Sequence, residues 1–462
     1  MKWRVTRNLI LACGVVIFVA GTRALAGDKK IVGYYPDWNR GQYPPAVIPY
    51  ERLTHIAQAF LVPTGNGSPG DTGAFIYPEL IQAAHAHGVR VVASLGGWGG
   101  SGGFSPMAAD SAARHRFVRN VLSLCVSHGY DGADIDWEYP ATTADRNNLA
   151  TLVHELRQAF ATVNTPLSIS LAAPAGDWSG QWFDFATMKA DFDWVGMMTY
   201  DYYGSWMTTS GPNSPLYGHW SQNSQGWIDD TFKYYTGTRG VPSTQLLIGI
   251  PFYGWDFTSP ALYGPSTAAS QIAYQTIAPR LQQGWTRYWD TEGNVPYMIN
   301  GAATHTVSYD DTESIRVKSE YAVSKGLGGA ITWALGQDVL SGEQPLLGAL
   351  AAGFGLTSVK DLPETGVPSA IALSQNYPNP FNPRTEIGFQ VPGNSYVRLI
   401  VCDLLGRQVA SLVDDRRPAG NYTVEFEGSG LASGTYFCRL LAGPIDGRSG
   451  AVVKSVKMLL LK

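Results

Sequence analysis

Eight short runs of apolar and β-branched residues punctuate the chain, at Ile31–Asn39, His55–Pro63, Arg90–Gly97, Tyr130–Tyr139, Leu167–Pro174, Trp194–Tyr203, Leu246–Tyr253 and Gly328–Leu335. Most are continuously hydrophobic, as strands buried on both faces are, rather than alternating. Between several of them lie helical patterns that stop at glycine. Pro78–His87 ends before Gly88, Ala112–His128 before Gly129 and Thr312–Lys325 before Gly326, each glycine suited to a left-handed cap. Asp145 can cap a further helix with Leu149, Leu152, Val153, Leu156 and Phe160 on one face. Strand then helix, repeated eight times over about 320 residues, predicts an α/β fold of the (β/α)8 TIM-barrel type. An open doubly wound sheet shares the alternation, but no Gly-rich dinucleotide turn follows the first run.

The seventh connection, about 258–327, is far longer than the few residues usual for a barrel loop. It carries its own alternating segments at Thr286–Trp289, Pro296–Ile299 and Thr306–Tyr309, which predict an inserted α+β subdomain between strands 7 and 8. After Phe354 the periodicity is lost, and 357–370 reads as a linker within a 27–356 barrel and 371–462 tail scheme. In the tail, Glu386–Val391, Tyr396–Asp403, Asn421–Glu427, Gly434–Leu441 and Ala451–Leu460 alternate between turn residues, predicting a small all-β sandwich.

Charge sharpens this division. Residues 27–370 hold 19 basic and 30 acidic residues, whereas 371–462 hold ten and seven. No basic cluster suited to a phosphate backbone occurs, which argues against nucleic-acid binding. At the N-terminus Lys2, Arg4 and Arg7 precede an apolar run from Leu9 to Ala20, and Ala24-Leu25-Ala26 supplies a small-x-small cleavage site. Residues 1–26 therefore read as a signal peptide, and the protein is expected to be secreted. The remaining cysteines, Cys125, Cys402 and Cys438, are too few for a disulfide framework, although a bridge between Cys402 and Cys438 is open.

The densest chemistry lies in Asp131-Gly132-Ala133-Asp134-Ile135-Asp136-Trp137-Glu138-Tyr139-Pro140. On a strand, Asp134, Asp136 and Glu138 form one row of carboxylates about 6–7 Å apart. Like charges in a poorly hydrated barrel cannot all ionise, so one acid should keep its proton near neutral pH, as general-acid chemistry needs. A solvated acidic loop would not interleave Ile135 and Trp137, and a hard-cation site would add carbonyl and Asn ligands on a turn. The histidines show no ligand spacing with acids or cysteines. No metal and no cofactor is expected.

This acidic run resembles the signature of glycoside hydrolase family 18, the chitinases and their relatives. Ser94-Leu95-Gly96-Gly97, Met198-Thr199-Tyr200-Asp201, Pro251-Phe252-Tyr253-Gly254 and Trp333 stand where that family has its other motifs, and the resemblance covers about 31–350. It implies hydrolysis of β-1,4 bonds in chitin or N-acetylglucosamine oligomers, with the substrate's acetamido group as nucleophile. Glu138 would be the general acid, Asp136 would hold the acetamido N–H, Asp134 would set Asp136, and Tyr200 would donate to the acetamido oxygen. Asp201, Tyr253 and, with a structural alternative, Ser94 would contribute to the site. Trp333 would form the floor under the sugar, and Trp98 and Trp206 would stack on the leaving side. The resemblance also implies non-proline cis peptides at Ala59–Phe60, Glu138–Tyr139 and Trp333–Ala334. One departure is Trp255, where many members carry Arg after Tyr-Gly.

An endo-β-N-acetylglucosaminidase acting on glycoprotein glycans shares the acidic signature but typically lacks the subdomain and sixth-strand pattern. A chitin-binding lectin on the same barrel usually lacks the terminal acid that Glu138 supplies. The tail, through Asn376-Tyr377-Pro378-Asn379-Pro380-Phe381-Asn382-Pro383, Asp403-Leu404-Leu405-Gly406-Arg407 and Leu431-Ala432-Ser433-Gly434-Thr435-Tyr436, resembles the immunoglobulin-like C-terminal sorting domains of type IX secretion cargo. Its implied partner is the bacterial secretion or cell-surface machinery. The whole is expected to be a monomer.

Overall fold

A computed structural model describes residues 29–218, 226–356, 371–376, 379–391, 395–417, 420–444 and 452–461. The expected signal peptide and linker lie outside them. The chain divides into two compact units, Met1–Ser358 and Val359–Lys462.

In the first unit, β1 (Lys30–Pro36), β2 (His55–Leu61), β3 (Arg90–Gly96), β4 (Gly132–Asp136), β5 (Ser168–Ala173), β6 (Trp194–Met197) and β7 (Leu246–Pro251) precede five strands of an insertion. These are β8 (Tyr253–Phe257), β9 (Ala269–Ala273), β10 (Thr286–Asp290), β11 (Val295–Ile299) and β12 (Thr306–Ser308), and β13 (Gly329–Trp333) completes the barrel. The barrel closes in the order β1-β13-β7-β6-β5-β4-β3-β2 with every neighbouring pair parallel. Strand alternation sorts the side chains into two cores. Val32, Tyr34, Ala57, Val92, Trp194, Leu247 and Ile331 fill the interior. Ile31, Val91, Ile135, Ile169, Val195 and Ile248 face outward onto the helices, against Leu80, Phe117, Leu149 and Leu152.

Helix Ser111–His128 starts on the Asp110 side chain, which accepts from Ala113 N–H, and ends on Gly129 at φ 80°. Helix Thr143–Phe160 differs from expectation at its start. Thr142 is the cap, accepting from Asp145 N–H, and Asp145 turns back to accept from the Ala141 N–H and the Thr142 hydroxyl. The two residues form a reciprocal cap, so the acid belongs inside the first turn rather than ahead of it.

The insertion is a five-stranded antiparallel sheet in the order β10-β11-β12-β8-β9. It starts at Tyr253, earlier than the sequence pattern suggests, and only Phe252 separates it from barrel strand β7. Its last strand ends at Ser308, so the helix Thr312–Ser324 that follows returns to the barrel wall.

The second unit is all β. β14 (Ala372–Leu373), β15 (Arg384–Val391) and β18 (Gly420–Glu427) form one sheet in that order. β17 (Gln408–Arg417), β16 (Ser395–Cys402), β19 (Gly434–Pro444) and β20 (Val452–Leu460) form the other in that order. Ile387, Phe389 and Phe426 from the first pack with Val397, Leu399, Leu440 and Met458 from the second, as in a sandwich. The Cys402–Cys438 bridge is not formed, and the described cysteines are free. Register explains why. Cys438 lies opposite Val401, so it shares that residue's face while Cys402 points to the other side of the sheet.

Candidate active site

The acidic row is built by the end of β4. Asp134 and Asp136 point into the barrel, while Ile135 and Trp137 point outward and Trp137 stacks on Phe104 at 5.1 Å between ring centroids. The strand stops at Asp136, so Glu138 stands just beyond it at the C-terminal mouth. Ser101 fixes this exit. Its Oγ accepts from Glu138 N–H at 2.8 Å and donates to the carbonyls of Gly97 and Asp136 at 3.1 and 3.2 Å. The neighbouring β3 exit requires glycine, because at Gly96 (φ 106°) a Cβ would sit 2.2 Å from the Asp136 carbonyl oxygen. The three expected non-proline cis peptides are present at Ala59–Phe60, Glu138–Tyr139 and Trp333–Ala334.

Asp134 lies deepest. Its Oδ2 accepts from Tyr34 Oη at 2.9 Å and Ser94 Oγ at 2.7 Å, and its Oδ1 accepts from Ser170 Oγ at 2.6 Å. Burial raises its carboxyl, and these three donors pull it back toward ionisation. Asp136 has no such support. Burial pushes it well above the usual carboxylate range, reinforced by the charges of Glu138 and Asp134, and its Oδ1 has no hydrogen-bond partner. Glu138 is pushed up to about 7 by burial and by the charge of Asp201, against hydrogen bonds from Tyr139, Asp136 and the Trp98 backbone. The row therefore holds protons well above pH 4.5 and can release one near neutrality. Tyr200, buried and facing the same acids, keeps its phenol proton and remains a donor.

Asp201 occupies a left-handed backbone conformation at φ 59°. Asn213 secures it, accepting from Asp201 N–H at 2.9 Å through Oδ1 and donating to the Tyr253 carbonyl at 3.2 Å. Asp201 Oδ1 accepts from Trp255 Nε1 at 2.8 Å, and burial raises its carboxyl above the usual range.

Above these groups opens a cavity of about 1210 Å³. Of the residues expected in the site, Asp136, Glu138, Tyr200, Asp201 and Tyr253 line it, together with the indoles of Trp98, Trp206 and Trp333. Asp134 and Ser94 sit behind this lining, and Asp134, which accepts from Ser94, is joined to it through Tyr34. Trp98 is 81% exposed and Trp206 57%, so neither is a core residue. Trp333 stacks on Phe60 at 5.6 Å and meets Tyr34 and Trp38 at 5.8 and 6.3 Å.

Sequence reasoning missed several contributors. Trp38 and Trp178, each 66% exposed, line the cavity beyond the ends of β1 and β5. A Trp just past a barrel strand's C-terminal end is a usable signal, because that face carries the site. Tyr34, Ser170 and Ser101 carried no such signal, since their roles depend on register between strands. Among the described residues, no group of three His, Cys, Asp or Glu side chains gathers as a metal site does.

The site is thus an aromatic cleft above buried carboxylates, at the C-terminal face of a parallel barrel. Residues 30–338 match the model of glycosyl hydrolases family 18, and the chain belongs to that family. Residues 375–450 match the secretion system C-terminal sorting domain. A probable endochitinase of Caenorhabditis elegans is 33% identical over 54% of this chain and 44% of its own length. An endochitinase of Manduca sexta is 30% identical over 72% of this chain and 68% of its own. The chain thus spans less than half of the nematode relative. Among solved structures, an Ostrinia furnacalis Group IV chitinase in complex with allosamidin aligns with a TM-score of 0.65 and 27% identity, covering 70% of this chain and 98% of the other.

Proposed function

We propose that the protein is an exported chitinase that hydrolyses β-1,4 bonds between N-acetylglucosamine units with net retention. The observation that carries this reading is the unpartnered, buried Oδ1 of Asp136, set between Asp134 and Glu138 beneath the cleft. A buried carboxylate oxygen left without a donor suits a ligand N–H, and an acetamido group brings one.

Glu138, protonated up to about 7, gives its proton to the glycosidic oxygen. The substrate's acetamido carbonyl oxygen attacks the anomeric carbon, the leaving sugar departs, and an oxazolinium ion forms. Asp136 accepts the acetamido N–H through its free Oδ1 and, as the proton it shares with Glu138 passes to the glycosidic oxygen, becomes the anion that opposes the developing positive charge, while Tyr200 donates to the acetamido oxygen. Asp134, held by its three hydroxyl donors, supplies a negative field behind Asp136. Water then opens the ring from the same face, with Glu138 as base. Trp333 carries the sugar at the cut, and Trp98 and Trp206 the leaving side. The sorting-domain match supports delivery to the exterior or the cell surface.

Product sizes and anomeric configuration from N-acetylglucosamine hexamers, measured beside a glycopeptide, test this reading. β-Anomeric short oligomers and an intact glycopeptide are expected. Cleavage of the glycopeptide alone, or inverted products, would overturn it.

A further inference from the structure

We propose that Lys318, which lies outside the cleft lining, is a positioning residue for the reaction: through Ser214 it holds the Thr199 carbonyl, and so sets the place of Tyr200 and Asp201 in the cleft. This rests on the reading of the cleft as a chitin-cleaving site.

Lys318 and Asp310 are wholly buried, with Nζ 2.6 Å from one carboxylate oxygen and 2.7 Å from the other. Burial works against the ammonium, and the charges of Asp310 and Asp311 work for it. Asp310 is itself held by Ser314 Oγ at 2.7 Å, in the first turn of helix Thr312–Ser324. Taking two charges out of water is expensive, and an apolar pair of similar volume is often as stable. Stability alone does not account for the pair. Geometry does. An ammonium has three protons, and beyond the two carboxylate oxygens it reaches Ser214 Oγ at 2.9 Å. That hydroxyl, accepting from a cation, must turn its own proton away, and it donates to the Thr199 carbonyl at 2.6 Å. A hydroxyl polarised in this way donates more strongly than an isolated one.

Thr199 directly precedes Tyr200, beyond the end of β6 at Met197. The backbone has left the strand ladder here. Thr199 N–H turns back to the Met197 carbonyl at 2.8 Å, and the Thr199 hydroxyl bridges the N–H and carbonyl of Gly249 on β7. Asn213, next to Ser214, holds the other end of the same stretch. It accepts from Asp201 N–H through its side chain and from Tyr202 N–H at 3.2 Å through its carbonyl. Its own N–H donates to Ser308 Oγ on β12 at 2.7 Å. Tyr200 is thus spanned by two adjacent residues of one loop. The left-handed backbone of Asp201 persists only where its surroundings over-determine it. Without the link from Lys318 to Ser214 the Thr199 end can drift, and a misplacement of about 1 Å at a reacting group costs roughly a hundred-fold in rate.

The test is steady-state hydrolysis of a soluble N-acetylglucosamine oligomer across a pH series by the wild type, by Ser214→Ala, and by Lys318→Met combined with Asp310→Leu. Ser214→Ala keeps the buried charges paired and the double variant removes both, so neither leaves a lone charge in the core. Both should lower kcat about ten-fold or more while KM stays within about two-fold. After burial, the Asp201 charge is a cause that raises Glu138, whereas Tyr139, Asp136 and the Trp98 backbone lower it. An Asp201 that has drifted raises Glu138 less, so the basic limb of the kcat profile should move to lower pH in both variants. Full kcat in Ser214→Ala, or a reduced kcat with the basic limb unmoved, would overturn the inference. Ser214→Ala decides the matter where the double variant does not fold. Failure of the wild type on the oligomer would overturn the reading of the cleft, and this inference with it.

Discussion

Ser170 and Asp134 are register partners on β5 and β4, and the serine hydroxyl donates to Asp134 Oδ1 at 2.6 Å. Ser94, the partner of Asp134 on β3, donates to Oδ2 at 2.7 Å, so one row across three strands holds the deepest carboxylate. A hydrogen bond to a charged group is worth roughly 1.5–3 kcal/mol. Ser170→Ala or Ser94→Ala should therefore lower kcat about ten-fold or more, with little change in KM. The lost donor leaves the anion less stable, so Asp134 titrates higher and the acid limb of the kcat profile moves to higher pH. A pH series on soluble N-acetylglucosamine oligomers checks both effects.

Glu138→Gln keeps the shape of the acid but has no proton to give. Turnover should fall by at least roughly 10²–10⁴. Oligomer binding, followed by the fluorescence of the cleft indoles, should persist because Trp98, Trp206 and Trp333 are untouched. Oligomers of plain glucose, which lack the acetamido nucleophile, should not be cut. Their efficient cleavage would refute the proposed chemistry.

The raised acid also sets a pH dependence. Glu138 is held at about 7 by burial, above its ordinary 4.5, and activity that needs its proton should decline as pH rises through about 7. Stability should follow the same direction. A carboxyl whose folded value is raised contributes fully below about 4.5 and loses that contribution as pH climbs through about 7. Thermal melts of the wild type and Glu138→Gln should accordingly diverge in favour of the variant between pH 5 and pH 8.

Each of the two units has its own hydrophobic core. Ending the chain after Leu356 should leave hydrolysis of short soluble oligomers within two-fold of the full chain, and should abolish release or surface display in a secreting host. Purified truncated and full-length protein, assayed on one oligomer, provide the comparison. A large loss in the truncated form would show that the tail takes part in catalysis.

The barrel was legible because its buried strands are apolar on both faces, and the acids because their alternation with Ile135 and Trp137 has one physical reading. What escaped depended on partners distant in sequence. Ser170 gains meaning only once β5 pairs with β4, and Tyr34 only once the barrel closes opposite Asp134. β17 went unseen for another reason. It is an edge strand whose exposed Asp414, Asp415 and Arg416 hide the alternation, the kind of charge that protects an edge from pairing with other chains. The cysteine pair shows the reverse, since two plausible partners one register step apart lie on opposite faces.

Phe252 joins the barrel to the inserted sheet as a single fully buried residue. Its N–H donates to the Trp333 carbonyl at 2.7 Å and its carbonyl accepts from Tyr274 N–H at 2.9 Å. The bank of the cleft is therefore welded to the strand that carries its floor, with no slack length of chain to act as a hinge. The proposed chitin substrate would find a trench whose depth is already set, and would settle into it rather than be clasped by it.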